Sequence, residues 1–270
     1  MKTARSSTGS TTPKSLPVRK ASELQRHRTW VFYGRSASGK TTLASTFPGK
    51  KLLIDIRDEG TDSILDVKEL DVLPVTTIEE IEEAYWWLKQ NPNKYQTVIL
   101  DTVTMWQFLK VLDIVGAKAT KLGKQPTDWG VMTKQQWGEV AGYMKTWITN
   151  FRDLPLEVVF TAQQRTFNVG EDGENEGELD PEVGPSLSPS VMNHLCAAAQ
   201  VIGCTFIRTV KKSVGIGKKK REKEVQEYCI RLGPSASYIT KFRKPRSISL
   251  PDFLTNPTYE DILETIKGSN

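Results

Sequence analysis

Histidine is almost missing from this chain of 270 residues; His27 and His194 are the two present. A histidine-rich zinc site is thereby excluded. Cysteine is nearly as scarce. Cys196, Cys204 and Cys229 are odd in number and lack metal-ligand spacing, which suits small apolar residues in strands and a reducing cytoplasm. No apolar run approaches the length of a membrane span, and the basic N-terminus lacks the apolar segment of a secretion signal. Acid is missing from residues 1–28 apart from Glu23, while Ser, Thr, Lys and Arg abound around Pro13 and Pro17. Such a composition builds no core, so this stretch reads as a disordered basic tail. Over the whole chain 37 Lys and Arg face 32 Asp and Glu, a net charge of +5. That balance permits nucleic acid without demanding it.

What is present is glycine in a telling place. Gly34-Arg35-Ser36-Ala37-Ser38-Gly39-Lys40-Thr41, followed by Thr42, fits the phosphate-binding pattern G-x-x-x-x-G-K-[ST] without departure. Gly34 and Gly39 let backbone N–H groups turn inward toward a polyphosphate. Lys40 supplies a point charge toward the β- and γ-phosphates, and the Thr41 hydroxyl is the expected Mg²⁺ ligand. Trp30 to Tyr33 reads as a buried strand entering the loop, and 41–46 as the helix leaving it. ATP and Mg²⁺ are the cofactors this stretch calls for.

Further strands are expected at 51–56, 71–75, 96–101 and 156–161, with helices at 78–89, 103–115 and 134–152. Alternating strands and helices predict an α/β domain over 29–270, its mostly parallel sheet flanked by helices. Ligands of such sheets bind beyond the carboxyl ends of the strands. The last third differs. A long loop is expected over 166–190, acidic from Glu171 to Glu182 and too long for a mere connector. Two strands, 201–210 and 225–232, then form an antiparallel C-terminal hairpin with a basic tip at 211–224. Another strand at 236–242 and a closing helix at 259–267 complete the chain.

Asp101 ends an apolar strand sixty residues after the P-loop, the pattern of a carboxylate that holds Mg²⁺ opposite Thr41. Hydrolysis also needs a group to orient the attacking water. Asp55, Asp58 and Glu59 follow the second strand; Glu59 has the reach, Asp58 is its rival, and a solvated acidic turn is the alternative. Gln163, with Gln164, sits where a strand end could bond the γ-phosphate and report its loss.

The order of these segments, closing on Tyr238-Ile239-Thr240-Lys241-Phe242-Arg243, resembles RecA-like recombinases. More closely, Gln136-Trp137-Gly138, Asp153-Leu154-Pro155, and Lys241-x-Arg243 followed by Leu250-Pro251 are similar to the phage-encoded RecA-like ATPases of single-strand annealing, the Sak group. The resemblance covers roughly 29–267. It implies a RecA-like P-loop core, a homo-oligomer with ATP between subunits, and Lys241 and Arg243 reaching a neighbour's γ-phosphate. Two departures stand out. Arg57 occupies the place of the catalytic glutamate, and the loop after Gln164, which meets DNA in RecA, is acidic here.

Single-stranded DNA is the expected partner, with a single-strand-binding protein a further candidate. Lys118, Lys121, Lys124 and Trp129 occupy the place of the other DNA loop, and Lys211, Lys212, Lys218, Lys219, Lys220 and Arg221 crowd the hairpin tip. Lysines with an aromatic suit a single-stranded backbone and a stacked base; solubilising lysines on loops are the plain alternative. The leading expectation is a DNA-dependent ATPase of recombination or annealing. Its competitors are a non-catalytic, nucleotide-dependent DNA-binding module and a small-molecule P-loop kinase. A GTPase is disfavoured because Asn93-Lys94-Tyr95 is followed by Gln96, not by the Asp of the guanine-reading pattern.

Overall fold

Six consecutive residues, Thr29–Gly34, are buried at every position; a strand achieves this only when helices cover both faces of its sheet. In the computed structural model the described residues are 27–57, 61–121, 132–167, 182–214, 221–244 and 247–267, and side chains at 118–121, 213–214, 221 and 266–267 are outside that description. The chain runs β1 (Thr29–Gly34), α1 (Lys40–Ser45), β2 (Lys51–Ile56), a 3-10 turn (Asp62–Ile64), β3 (Leu70–Val75), α2 (Ile78–Gln90) and β4 (Thr97–Asp101). It continues through α3 (Val103–Lys121), α4 (Lys134–Arg152), β5 (Glu157–Phe167), β6 (Glu182–Pro185) and α5 (Pro189–Ala198). The C-terminal part adds β7 (Val201–Val214), β8 (Arg221–Arg231), β9 (Lys241–Phe242), β10 (Leu254–Thr255) and α6 (Tyr259–Lys267).

The sheet order is β10-β8-β7-β1-β5-β4-β2-β3, with β6 against β5 and β9 against β7. From β3 to β7 all neighbours are parallel; β8 and β10 close the edge antiparallel. This is the expected mostly parallel α/β sheet with an antiparallel C-terminal pair. Alternate residues of β1 feed two separate cores. Val31 and Tyr33 join the side covered by α2, α3, α4 and α5. Trp30 and Phe32 join the other side, with Leu43 of α1, Phe47 and Ile262 of α6. The period-2 geometry of a strand produces this division.

Several expected boundaries move. The long loop of 166–190 is interrupted: β5 continues to Phe167, β6 returns beside it, and α5 starts at Pro189. Proline suits the first turn of a helix, where its missing N–H costs nothing. Val191, Met192, Leu195 and Ala198 then give α5 one buried face. The strand expected over 236–242 shrinks to the two residues of β9 and an isolated bridge between Val183 and Tyr238. The hairpin is longer than expected, because Lys211 and Lys212 pair with Glu224 and Lys223 in the ladder and belong to no loop. Lys211 facing Glu224 is an opposed pair that supports the ladder, whereas Lys212 faces the like charge of Lys223 and pairs with Glu227 on the same face.

Candidate nucleotide site

Parallel pairing sets the site. Gly34, the last residue of β1, lies between Gln163 of β5 and Thr205 of β7. A Cβ on Gly34 would come within 2.3 Å of Thr205 Oγ1 and 2.4 Å of the Thr205 carbonyl oxygen, so only glycine lets the loop begin here. Gly39 closes it at a φ of 86° as the N-cap of α1, and Ala37 too has positive φ, 59°. The turn is held from inside. Ser38 Oγ donates to the Arg35 carbonyl at 2.7 Å and lies 2.7 Å from Thr205 Oγ1. Lys40, almost wholly buried, donates through Nζ to the carbonyls of Arg35 (2.8 Å) and Gly34 (3.3 Å).

Asp101 arrives from two strands away. β4 pairs with β5, which places the strand end beside the loop, and Asp101 Oδ2 accepts from Thr41 Oγ1 at 2.5 Å. Its other oxygen accepts from Thr161 Oγ1, also at 2.5 Å. A hydroxyl and a carboxylate meeting at the mouth of a phosphate loop are the hard oxygen donors that suit Mg²⁺, so the residues present fit that ion. Asp55 is buried and stands opposite Asp101 across β2 and β4. Gln163 shares the cavity wall, and its backbone N–H donates to Thr104 Oγ1 at 3.1 Å. Gln164 pairs with Pro185 of β6.

One cavity of about 760 Å³ joins these groups, within the ~300–1,000 Å³ usual for ligand sites. Its wall holds Ser36 to Leu43, Asp101 and Gln163, all anticipated save Leu43, and also residues the sequence did not flag. Asp62 and Ser63 come from the 3-10 turn, Thr205 from β7, Tyr228 from β8, and Asn256, Pro257 and Thr258 from the segment before α6. Asn-Pro is a turn signal, and Asn256 adopts positive φ. Nothing local marks Tyr228 or Thr205, which reach the loop through strand pairing alone.

The remaining candidates fall elsewhere. Asp58, Glu59, Lys124, Trp129, Lys218, Lys219 and Lys220 lie outside the described residues, as do the side chains of Lys118, Lys121 and Arg221. Lys241 sits in β9, opposite Ile202 near the start of β7 and away from the loop. Its Nζ donates to the carbonyls of Cys196 (2.8 Å) and Ala197 (3.2 Å), at the end of α5, where a cation complements the helix dipole. Burial, then the charge of Arg243, push the Lys241 ammonium below the usual lysine range. Arg243 is exposed. Lys212 pairs with Glu227 at 2.7 Å, and Arg208 holds that same carboxylate. Lys211 is exposed on the opposite face of β7. The Tyr33 hydroxyl donates to the Val183 carbonyl, and Cys204 is pushed up to about 11 by burial, so neither is an ionised group at neutral pH.

A glycine loop with its lysine, a strand-end aspartate bonded to the loop threonine, and a parallel sheet delivering both to one cavity define a P-loop NTPase. The family model described as "AAA domain" matches residues 26–244; the chain belongs to that family. Membership carries nucleotide binding and, typically, use of Mg²⁺. Among curated proteins none matches in sequence. Among solved structures, the flagellar accessory protein FlaH from Methanocaldococcus jannaschii is similar over 76% of each chain, at 10% identity and a TM-score of 0.31. A likeness that loose supports no statement about function. Among the described residues no helix is long and apolar enough to cross a membrane.

Proposed function

We propose that the protein is a phage-encoded, Sak-type RecA-like ATPase that acts on single-stranded DNA in recombination or annealing, as an oligomer with ATP between subunits. The observation that carries the ATPase reading is the convergence of Lys40, Thr41, Asp101 and Gln163 on one cavity. In this reading the loop amides and Lys40 hold the β- and γ-phosphates. Mg²⁺, when bound near Thr41 and Asp101, offsets the charge that develops on the phosphoryl oxygens. Water attacks the γ-phosphorus, the bond to the bridging oxygen breaks, and ADP and phosphate leave. Asp101, bonded to the Thr41 hydroxyl at the mouth of the loop, is assigned to the metal in this reading. Glu59 is assigned the task of positioning the water. With the Lys241 ammonium engaged by its own chain, Arg243 is the residue assigned to a neighbour's γ-phosphate. The DNA reading draws on the resemblance and on the basic hairpin, where Lys211 of β7 is exposed.

The test is the ATP turnover rate with single-stranded DNA, duplex DNA and no DNA, at two salt concentrations. Single strands should raise the rate, less so at high salt, and Lys40→Ala should remove turnover. A rate indifferent to DNA would sink the DNA assignment, and normal turnover by Lys40→Ala would sink the ATPase assignment.

A second reading, nucleotide-dependent strand binding with hydrolysis incidental, is favoured by one observation. Among the described residues, the carboxylates of the cavity wall are Asp62 and Asp101, and the latter sits with the Thr41 hydroxyl where the metal would be held. Annealing that survives Glu59→Gln but not Lys40→Ala would select this reading.

A further inference from the structure

The cavity has two chemically distinct ends. One is the phosphate and metal end, with Lys40, Thr41 and Asp101. The other runs past Thr42 and Thr46 to Tyr228, Asn256 and Pro257. Thr42 follows the metal-side threonine on the exposed face of α1, so a chain of phosphates leaving Thr41 in that direction delivers its sugar and base to the second end. Tyr228 is the exposed aromatic there. Its ring packs on the loop, for a Cβ on Gly39 would stand 3.1 Å from its Cδ1, yet the residue keeps 45% of its surface open. That open aromatic face lines the same cavity as the polyphosphate loop.

Its position is also fixed, which a stacking platform requires. Asn256 embraces the Tyr228 backbone from the next strand edge: Asn256 N donates to the Tyr228 carbonyl at 2.5 Å, and Asn256 Oδ1 accepts from Tyr228 N at 3.0 Å. The positive φ of Asn256, 46°, is a conformation asparagine tolerates better than most residues. Pro257 follows at once and presents a rigid apolar ring to the same cavity. Thr46 Oγ1, which also lines this end, accepts from Tyr259 N at 2.9 Å and so ties the segment to α1.

We infer that Tyr228 is the platform on which the nucleobase of the bound nucleotide stacks, with Asn256 as the residue that positions it. The inference rests on the nucleotide-binding reading of the cavity. Stacking uses the π-face that every base possesses, so Tyr228 contributes affinity for a base as such. Two residues remote in sequence, on β8 and before α6, thereby complete a site that the P-loop begins.

The test compares ATP with inorganic tripolyphosphate, which has the phosphates and no base, in calorimetric titrations of the full chain with Mg²⁺. Wild type should bind ATP more tightly than tripolyphosphate. Tyr228→Leu, which keeps bulk against Gly39 and removes the aromatic face, should weaken ATP about tenfold and leave tripolyphosphate unchanged. Tyr228→Phe should bind both as wild type does. Asn256→Ala should reproduce a smaller part of the ATP loss. Unchanged ATP binding by Tyr228→Leu would overturn the inference, as would an equal loss for both ligands, which would make Tyr228 a support of the loop. If Lys40→Ala weakened neither ligand, the nucleotide reading itself would fall.

Discussion

Gly34 is the residue at which sheet and chemistry meet. Its Cα is so close to Thr205 that any side chain must displace backbone as well as a hydroxyl. Overpacking of this kind costs about 1–3 kcal/mol. Gly34→Ala should therefore lower the thermal midpoint by several degrees and abolish ATP binding, whereas Gly116→Ala, with open space around the added methyl, should do neither. Thermal melts and one nucleotide titration check both. The motif residues were readable in the sequence because their chemistry is local: glycine, lysine and threonine must be neighbours to wrap a phosphate. Asp101 was readable through its place at the end of an apolar strand. Tyr228 was not, because an aromatic in an alternating strand looks like any packing residue until strand pairing carries it to Gly39. Asp58 and Glu59 are read from sequence alone.

At the level of elements, the parallel core announces itself through runs such as Val98 to Leu100 and Val158 to Phe160, each fully buried. Elements whose burial is one-sided and short were harder to see. α5 has a clear apolar face, but it follows closely on the short strand β6 and is ten residues long. It packs on α4 through His194, whose Nε2 lies 2.9 Å from Thr149 Oγ1. Burial, then the charges of Lys145 and Arg152, hold the His194 imidazolium below the ordinary histidine value. The folded state thus prefers neutral His194, whereas the unfolded chain takes up a proton near pH ~6.5. Its contribution is full above that pH and is lost as pH falls toward the lower folded value. Between pH 7.5 and 5.5 the wild-type thermal midpoint should drop more than that of His194→Gln; parallel slopes would show that His194 carries no such linkage. The hairpin was underestimated for a different reason. Lysines and glutamates weaken the reading of a strand, yet the ladder runs on through Lys211 opposite Glu224, and Lys212 pairs with Glu227.

For the whole molecule, the proposed sharing of each site between neighbours gives a complementation experiment. Lys40→Ala damages the loop side of an interface and Arg243→Ala the opposite side. Either variant alone should be inactive, but a mixture should recover part of the turnover, since some interfaces then combine an intact Lys40 with an intact Arg243. Turnover assays of the mixed variants decide the matter; a mixture as inactive as its components would argue that Arg243 acts within its own chain or not at all.

The β7–β8 hairpin has one more consequence. β7 leaves the parallel sheet at Thr205, the last residue paired with β1, and continues in unbroken register with β8 to Val214. At about 3.3 Å per residue, this outer span is roughly 30 Å long. Its inner end is bonded to the phosphate loop through Thr205 and Ser38, and its side touches that loop at Tyr228. It is a long two-stranded arm rooted beside the loop. By geometry alone, a tilt of about 5° at Thr205 would sweep the far end through about 2.5 Å. A small change of angle at the loop is thus a large displacement at the hairpin's end.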